Sequence, residues 1–271
     1  MGTEPPSDRT PTHDRGHLLG ESRRHDVFAL WEVQRYGRDS FGDPDYVSIY
    51  GLTPKQWYAR GIRLLARTVV ECTRDRLADR IGRDIAAVAG TAPAVSGSVV
   101  VDPFAGSGNT LYWIQRHVAA RRAVGFELDD GVFAASQRNL SIVGLDVALR
   151  HEGHEAGLTA LSVPEDQLLI VFVAPPWGDA LSEVSGLDLR RTRPPVTAIV
   201  DLVASTFARH KVLLGTQVHE AVVADSLAEV TSRCDWSDLR TYDIDAPGRN
   251  HGLLLSTMGW TPGPTRPAAS R

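Results

Sequence analysis

The stretch VDPFAGSGNT, residues 101–110, decides the fold: an apolar run ends on an acid, and two glycines follow within three positions. The flanks give it a setting. SVVVDPF (98–104) reads as a short buried strand and NTLYWIQRHVAA (109–120) as a helix, so the glycines occupy a strand-to-helix turn. Gly106 and Gly108 permit a tight bend there and let backbone approach a ligand with no side chain in the way. Asp102, at the strand end, can accept a hydrogen bond from a ligand or from the loop. Asn109 opens the helix, where neighbouring N–H groups lack intrahelical partners.

Downstream the same grammar repeats. RAVGFELD (122–129) reads as a second strand, GVFAASQRNLSIVG (131–144) as a second helix and DVALRHEG (146–153) as a third strand. The strongly apolar LLIVFVAPP (168–176) is a fourth strand, RHKVLLGTQ (209–217) a fifth and SLAEVTSRC (226–234) a helix. SDLRTYDIDAPGRNHGLLLSTMG (237–259) splits about APGRNHG into two strands, one running against the rest. Alternation of this kind predicts an α/β fold with a seven-stranded, mostly parallel sheet and helices on both faces.

Upstream, DVFALWEVQRYGR (26–38) brings Phe28, Trp31, Val33 and Tyr36 together at helical spacing. In the segment that follows Gly51, Thr53 suits a helix cap, Pro54 the first turn and Gln56 the capping box. Trp57, Ile62, Leu65, Val69, Cys72, Leu77 and Ile81 then recur at steps that predict two helices or one bent helix. The expected organisation is a flexible end over 1–20, an N-terminal helical extension over 21–97, a core domain over 98–260 and a second flexible end over 261–271. FGDPDYVSIYGL (41–52) is more apolar than a plain linker and is expected to fold over the ligand as a lid, with Lys55 and Gln56 near its carboxylate and Tyr46 and Tyr50 as acid–base candidates.

Composition sets outer limits. A 271-residue chain with 42% hydrophobic and 23% charged residues suits one globular domain with decoration. The formal charge of −4 does not call for a polyanionic partner, although Arg190, Arg191 and Arg193 form a local basic stretch. Two cysteines, Cys72 and Cys234, make neither a metal cluster nor a disulfide scaffold, so no metal is expected and a reduced compartment is. Without a secretory core or a run of ~18 apolar residues, the expected location is cytoplasmic, away from membranes.

The partner of the glycine turn is Glu127, at the end of the second strand about twenty residues on, where a carboxylate can take both hydroxyls of a ribose. An acid at the mouth of the loop is a poor approach for pyrophosphate and a good one for a cationic or zwitterionic ligand. The chain also lacks the Gly-Lys-Ser/Thr ending of a triphosphate cradle.

DPFAGSGNT, GFELD and APPWGD together resemble, in order, three motifs of class I S-adenosylmethionine-dependent methyltransferases, over about residues 98–260. The resemblance implies a Rossmann-like class I fold with S-adenosylmethionine as cofactor. It implies that Asp102, Pro103, Phe104, Ala105, Gly106, Ser107, Gly108 and Asn109 line the methionine end. Glu127 then holds the ribose, and Leu128, Gly153 and His154 lie about the adenine; His154 stands where the family usually has an acid. APPWGD resembles the amino-group methyltransferase site, and Pro-Pro-Trp-Gly is most similar to the trimethylguanosine synthases, which methylate cap guanine at N2. On that basis Ala174, Pro175, Pro176, Trp177 and Asp179 are the catalytic candidates. Ala174 departs from the pattern, because its side chain cannot accept a hydrogen bond from a target amine.

Several functions fit these residues. The leading expectation is methyl transfer to nitrogen or oxygen of a small molecule, in specialised metabolism. The alternatives are cyclisation of the cofactor itself to azetidine-2-carboxylate or 1-aminocyclopropane-1-carboxylate with release of methylthioadenosine, guanine N2 methylation of RNA, and a non-catalytic cofactor-binding partner subunit. A nucleic-acid acceptor ranks below a small molecule or no second substrate, and a homo-oligomer stays open.

Overall fold

The computed structural model describes residues 18–245 and 248–263, so the ends expected at 1–20 and 261–271 fall mostly outside the described residues. Seven strands form the main sheet: β1 (Ser98–Asp102), β2 (Arg122–Glu127), β3 (Ala148–His151), β4 (Leu168–Val173), β7 (Val212–His219), β8 (Trp236–Tyr242) and β9 (His251–Met258). A separate small hairpin, β5 (Leu181–Ser182) with β6 (Gly186–Leu187), follows the Pro-Pro-Trp stretch and has no counterpart among the expected elements.

The strand order is β3-β2-β1-β4-β7-β9-β8. All pairings from β3 to β7 are parallel, and β9 lies antiparallel to both β7 and β8. A sheet of that order, with one reversed strand wedged next to the edge, is the Rossmann-like class I methyltransferase fold. Strand order turns between β1 and β4, and open α/β sheets bind ligands beyond the carboxyl ends of strands at such a point.

Burial on both faces explains why β1 and β4 read as unbroken apolar runs. One face carries Val100, Ile170, Phe172, Leu213 and Leu255 against Leu77, Ile81, Ile85 and Val88 of α4 (Asp75–Ala89) and Leu111 and Ile114 of α5 (Asn109–His117). The other carries Val101, Val171 and Leu214 against Leu158 of α7 (His154–Thr159) and Ile199 and Val203 of α8 (Val196–Thr206). The sequence pattern gives neither α7 nor α8. It also groups α4 with the N-terminal extension, whereas α4 packs as a layer of the sheet.

The first helix, α1, spans Leu30–Phe41 and starts later than its apolar spacing predicts, because the Glu32 carboxylate accepts the Ala29 N–H at 2.9 Å and fixes the start. Trp31 consequently faces water, 63% exposed. From Thr53 the chain makes three helices rather than two: α2 (Pro54–Ala59), α3 (Ala66–Glu71) and α4. Gln56 accepts the Thr53 N–H at 2.9 Å, as the capping-box pattern predicts. The remaining helices are α6 (Asp130–Val143) and α9 (Ala224–Thr231).

The N-terminal arm has its own cluster, in which Phe28, Val33, Ile49, Tyr50, Trp57 and Ile62 pack with Leu140 of α6 and Tyr112 of α5. Two buried asparagines clamp it. Asn139 on α6 accepts the Arg63 N–H at 3.1 Å and donates to the Arg63 carbonyl at 2.8 Å. Asn109, at the start of α5, accepts the Tyr50 N–H at 2.7 Å and donates to the Thr73 carbonyl at 2.8 Å. Asp75 adds a third tie by accepting the Gly51 N–H and the Trp113 indole N–H at 2.9 and 2.6 Å. With Ile49 and Tyr50 essentially inaccessible, the segment expected as a lid is a fixed wall against the helices.

Asn109→Ala would leave a buried N–H and a buried carbonyl without partners. It is expected to lower the free energy of unfolding by about 2–3 kcal/mol in urea titrations, with the denaturant slope unchanged.

Candidate functional site

At the carboxyl end of β1 the chain turns through Asp102–Gly108. The Asp102 carboxyl accepts the Phe104 N–H at 3.0 Å, which starts the bend. Gly106 adopts φ +50°, and a Cβ built on it would meet only the Phe104 carbonyl, at 3.8 Å, so backbone lies open there. Gly108 adopts φ +73° as the cap of α5, where a Cβ would come within 3.0 Å of Leu140. Both positions therefore require glycine, the first for open backbone and the second for helix packing.

Glu127, at the end of β2, ties the loop to its neighbouring strand. One carboxylate oxygen accepts the Gly106 N–H at 3.0 Å and the other the Asp129 N–H at 2.8 Å. Each oxygen keeps a further lone pair, so a vicinal diol can still be held as two donors.

Both carboxyls are perturbed. Burial pushes the Asp102 carboxyl up to about 7, the Phe104 N–H opposes this, and the neighbouring Glu127 charge adds to it. Burial also raises Glu127, against the backbone N–H groups of Asp129 and Gly106. The Arg67 charge opposes the rise at Glu127, so the buried Asp102 carboxyl beside open backbone is the group whose ionised form a cation favours most.

Leu128, 73% exposed, stands just past Glu127 at the rim, 4.0 Å from where a Gly153 Cβ would lie. His154 opens α7 with its ring 5.2 Å from the Phe104 ring, and burial lowers its pKa against the neighbouring Glu155 charge. An open glycine backbone, a cation-seeking carboxyl, a diol acceptor and an exposed leucine at the rim fit a sulfonium nucleoside. The class I fold is an S-adenosylmethionine-binding fold, and these residues suit that cofactor.

Four expected residues have other duties. Both polar atoms of the Asn109 side chain are committed to the N-terminal arm. Tyr50, read from the sequence as an acid–base candidate, is buried with its hydroxyl donating to the Ser107 carbonyl, and burial lifts its pKa far above the ordinary phenol range. It braces the loop and cannot exchange protons usefully. Tyr46 is stacked on Phe41 and covered by the Arg74 guanidinium 3.7 Å from its ring, which removes it as a proton carrier. Gln56 is spent on its cap.

Beyond β4, Ala174 and Pro175 are largely buried, while Pro176 and Asp179 are exposed. Asp179 lies in a 3-10 turn over Gly178–Ala180. The Pro176 carbonyl accepts the Arg193 N–H at 3.3 Å, which pins the basic loop to the proline pair. Within that loop Arg190 is neutralised by Asp188, at 2.9 and 2.8 Å.

Trp177 has two imidazole neighbours that sequence reasoning missed. The His251 ring, at the start of β9, lies 5.3 Å away and tilted by 32°, and the His219 ring, at the end of β7, meets it edge-on at 6.2 Å. His219 is locked: its Nδ1 accepts the Ala221 N–H at 3.1 Å, leaving Nε2–H to donate to the Gly248 carbonyl at 3.3 Å. His251 Nδ1 is 3.2 Å from Gln217 Nε2, and the Thr73 hydroxyl meets Gln217 Oε1 at 2.8 Å. Polar side chains thus run from Trp177 through His251, Gln217 and Thr73 to Asn109 under the glycine loop. The one sequence signal for them is a polar TQVH ending on the apolar strand VLLG, at the end where ligands bind.

No protein-family model and no curated protein matches the chain. Among solved structures it is similar to an rRNA methylase from Streptococcus thermophilus, with 15% identity over 66% of this chain and 96% of that one and a TM-score of 0.43. It is also similar to the B. subtilis M1A22 tRNA methyltransferase TrmK, with 14% identity, 66% of each chain and 0.41. A third is the putative methyltransferase yhhF from Escherichia coli, with 19% identity, 68% and 85% coverage and 0.41. At such identities and scores the fold assignment rests on the strand order given above.

The raised Asp102 carboxyl makes two effects measurable. A cationic nucleoside needs the ionised form, so affinity for S-adenosylmethionine is expected to fall about ten-fold between pH 8 and pH 6. Without ligand the sign reverses. An acid whose folded pKa is raised contributes stability that is present below its unfolded value of 3.8 and lost as pH rises through about 7. Asp102→Asn should weaken binding, flatten its pH dependence in calorimetry, and raise the melting temperature of the ligand-free protein at pH 8 by a few degrees.

Proposed function

We propose that the protein is an S-adenosylmethionine-dependent methyltransferase whose acceptor is a flat, amine-bearing heteroaromatic ring, a nucleotide or RNA base of the guanine type. The observation that carries the reading is the aromatic wall beyond β4: Trp177, backed by His251 and edged by His219, at the sheet end that also carries the cofactor loop. A wall of this make-up suits stacking of a planar base better than it suits a small aliphatic acceptor or a cofactor that cyclises on itself. The likeness of Pro-Pro-Trp-Gly to the cap-guanine N2 enzymes supports the same choice.

The bound cofactor supplies a methyl group on a positively charged sulfur. The chain's own work is alignment and proton removal. Asp102, Glu127 and the glycine loop hold the nucleoside. The rigid Pro175–Pro176 pair fixes the Ala174 and Pro175 carbonyls beside the reacting centre, where they can accept from an amine in place of the missing acidic side chain. Trp177 holds the ring in plane.

Attack by an amine releases a proton, and His251 is the residue that takes it. The Thr73 hydroxyl can donate or accept, so the Gln217 amide can turn over and serve His251 whichever way its proton lies. His219, with both ring nitrogens committed to backbone, keeps the wall in shape.

Purified protein incubated with S-adenosylmethionine and guanine-containing nucleotides or short RNA should yield S-adenosylhomocysteine and a methylated base. Methylthioadenosine formed from cofactor alone would instead identify cyclisation. His251→Ala is expected to lower turnover by about 10²-fold with S-adenosylhomocysteine affinity unchanged. Loss of cofactor affinity in that variant would contradict the role given to His251.

A further inference from the structure

An open cleft of about 410 Å³ lies beside the arm, lined by Ser40, Phe41, Gly42, Asp43 and Tyr46 from the end of α1 and the loop after it, Arg76 from α4, and Ile244, Asp245 and Arg249 from the β8–β9 connection. The size suits a ligand fragment larger than a single ion. Its charges do not cancel. Asp245 is engaged by Arg74 at 2.8 Å, and an Asp43 oxygen accepts the Asp45 N–H at 2.8 Å. Arg76 is exposed and makes no hydrogen bond or ion pair among the described residues. Arg249 gives one N–H to the Ser40 carbonyl at 2.9 Å, has no carboxylate partner there, and stands 5.9 Å from the Phe41 ring centre. Two guanidiniums without acids thus face one cleft, against the single exposed carboxylate of Asp43.

The cleft is tied to the acceptor wall by short chain connections. Arg74, which pairs with Asp245 in the cleft and covers Tyr46, directly follows Thr73, whose hydroxyl holds Gln217 and through it His251 beside Trp177. Those connections put Arg249 two residues from the wall's His251, where β9 begins, and guanidinium forks match phosphate oxygens well.

We propose that this cleft takes the phosphate part of the acceptor, with Arg76 and Arg249 as its anion-binding residues, so that the substrate is a phosphorylated nucleotide or the phosphorylated end of a longer one. The inference deepens the base-methylation reading and rests on it. Phe41 and Tyr46, in a parallel stack with the Arg74 guanidinium 3.7 Å from the Tyr46 ring, form the floor, and Arg74 is spent on Asp245.

The test is calorimetry on the full chain with guanosine and guanosine 5′-triphosphate as probes. The triphosphate should bind the unaltered protein at least about ten-fold more tightly than the nucleoside. In the Arg76→Ala/Arg249→Ala double variant that advantage should shrink to about two-fold or less, each single variant losing part of it. Equal affinities for the two probes in the unaltered protein, or an advantage that survives in the double variant, would overturn the proposal. S-adenosylhomocysteine titrated into the same proteins reads the cofactor site separately: its binding in the double variant certifies the fold, and its failure in the unaltered protein would count against the methyltransferase reading alone.

Discussion

Two carboxyls stand at the ends of adjacent parallel strands, Asp102 buried and Glu127 half-buried, and the rest of the site is arranged around them. Neither has a basic side chain bonded to it; their hydrogen bonds come from backbone N–H groups of Phe104, Gly106 and Asp129. Such donors fix the loop's path but do not supply a full countercharge. The glycines, the parallel register of β1 with β2 and the start of α5 all keep this pair at the mouth of one crevice. A protein that stations acids in this way has made room for a positive ligand, and the electrostatic cost is relieved when the ligand arrives.

The N-terminal arm supports the same centre from outside. Tyr50 braces the Ser107 carbonyl, and Asn109 joins the arm to the first turn of α5, so the loop is pressed from the helix side while Glu127 holds it from the strand side. Thr73 extends the arm's reach to the far side of the site through Gln217. Cofactor end and acceptor end thus share one set of buried polar contacts.

Legibility in the sequence followed distance along the chain. The glycine turn, Glu127 and the Pro-Pro-Trp stretch could be read because each is a contiguous signal at the end of an apolar run, and the seven mostly parallel strands follow from alternating periods. Helix α8, VTAIVDLVAST, is apolar nearly all round and offers no clean stripe; α7 is only six residues long. The lid expectation for residues 41–52 came from their apolar content, which serves burial against α5 and α6 instead. Asn109 belongs to the same class: its position at a helix start suggests ligand contact, while its amide meets backbone from residues 36 and 59 positions away. His219, Gln217 and His251 were missed because a lone polar residue at a strand end carries no local pattern, and its partners lie on other strands.

The Thr73–Gln217 bond joins residues 144 positions apart, and the Gln217–His251 contact adds another 34. On the ribosome the cofactor loop and its arm emerge well before β9, which must then be threaded between β7 and β8 to complete the acceptor wall. During synthesis the glycine loop and its arm can therefore form early, whereas the face around Trp177 is completed only when β9 enters the sheet.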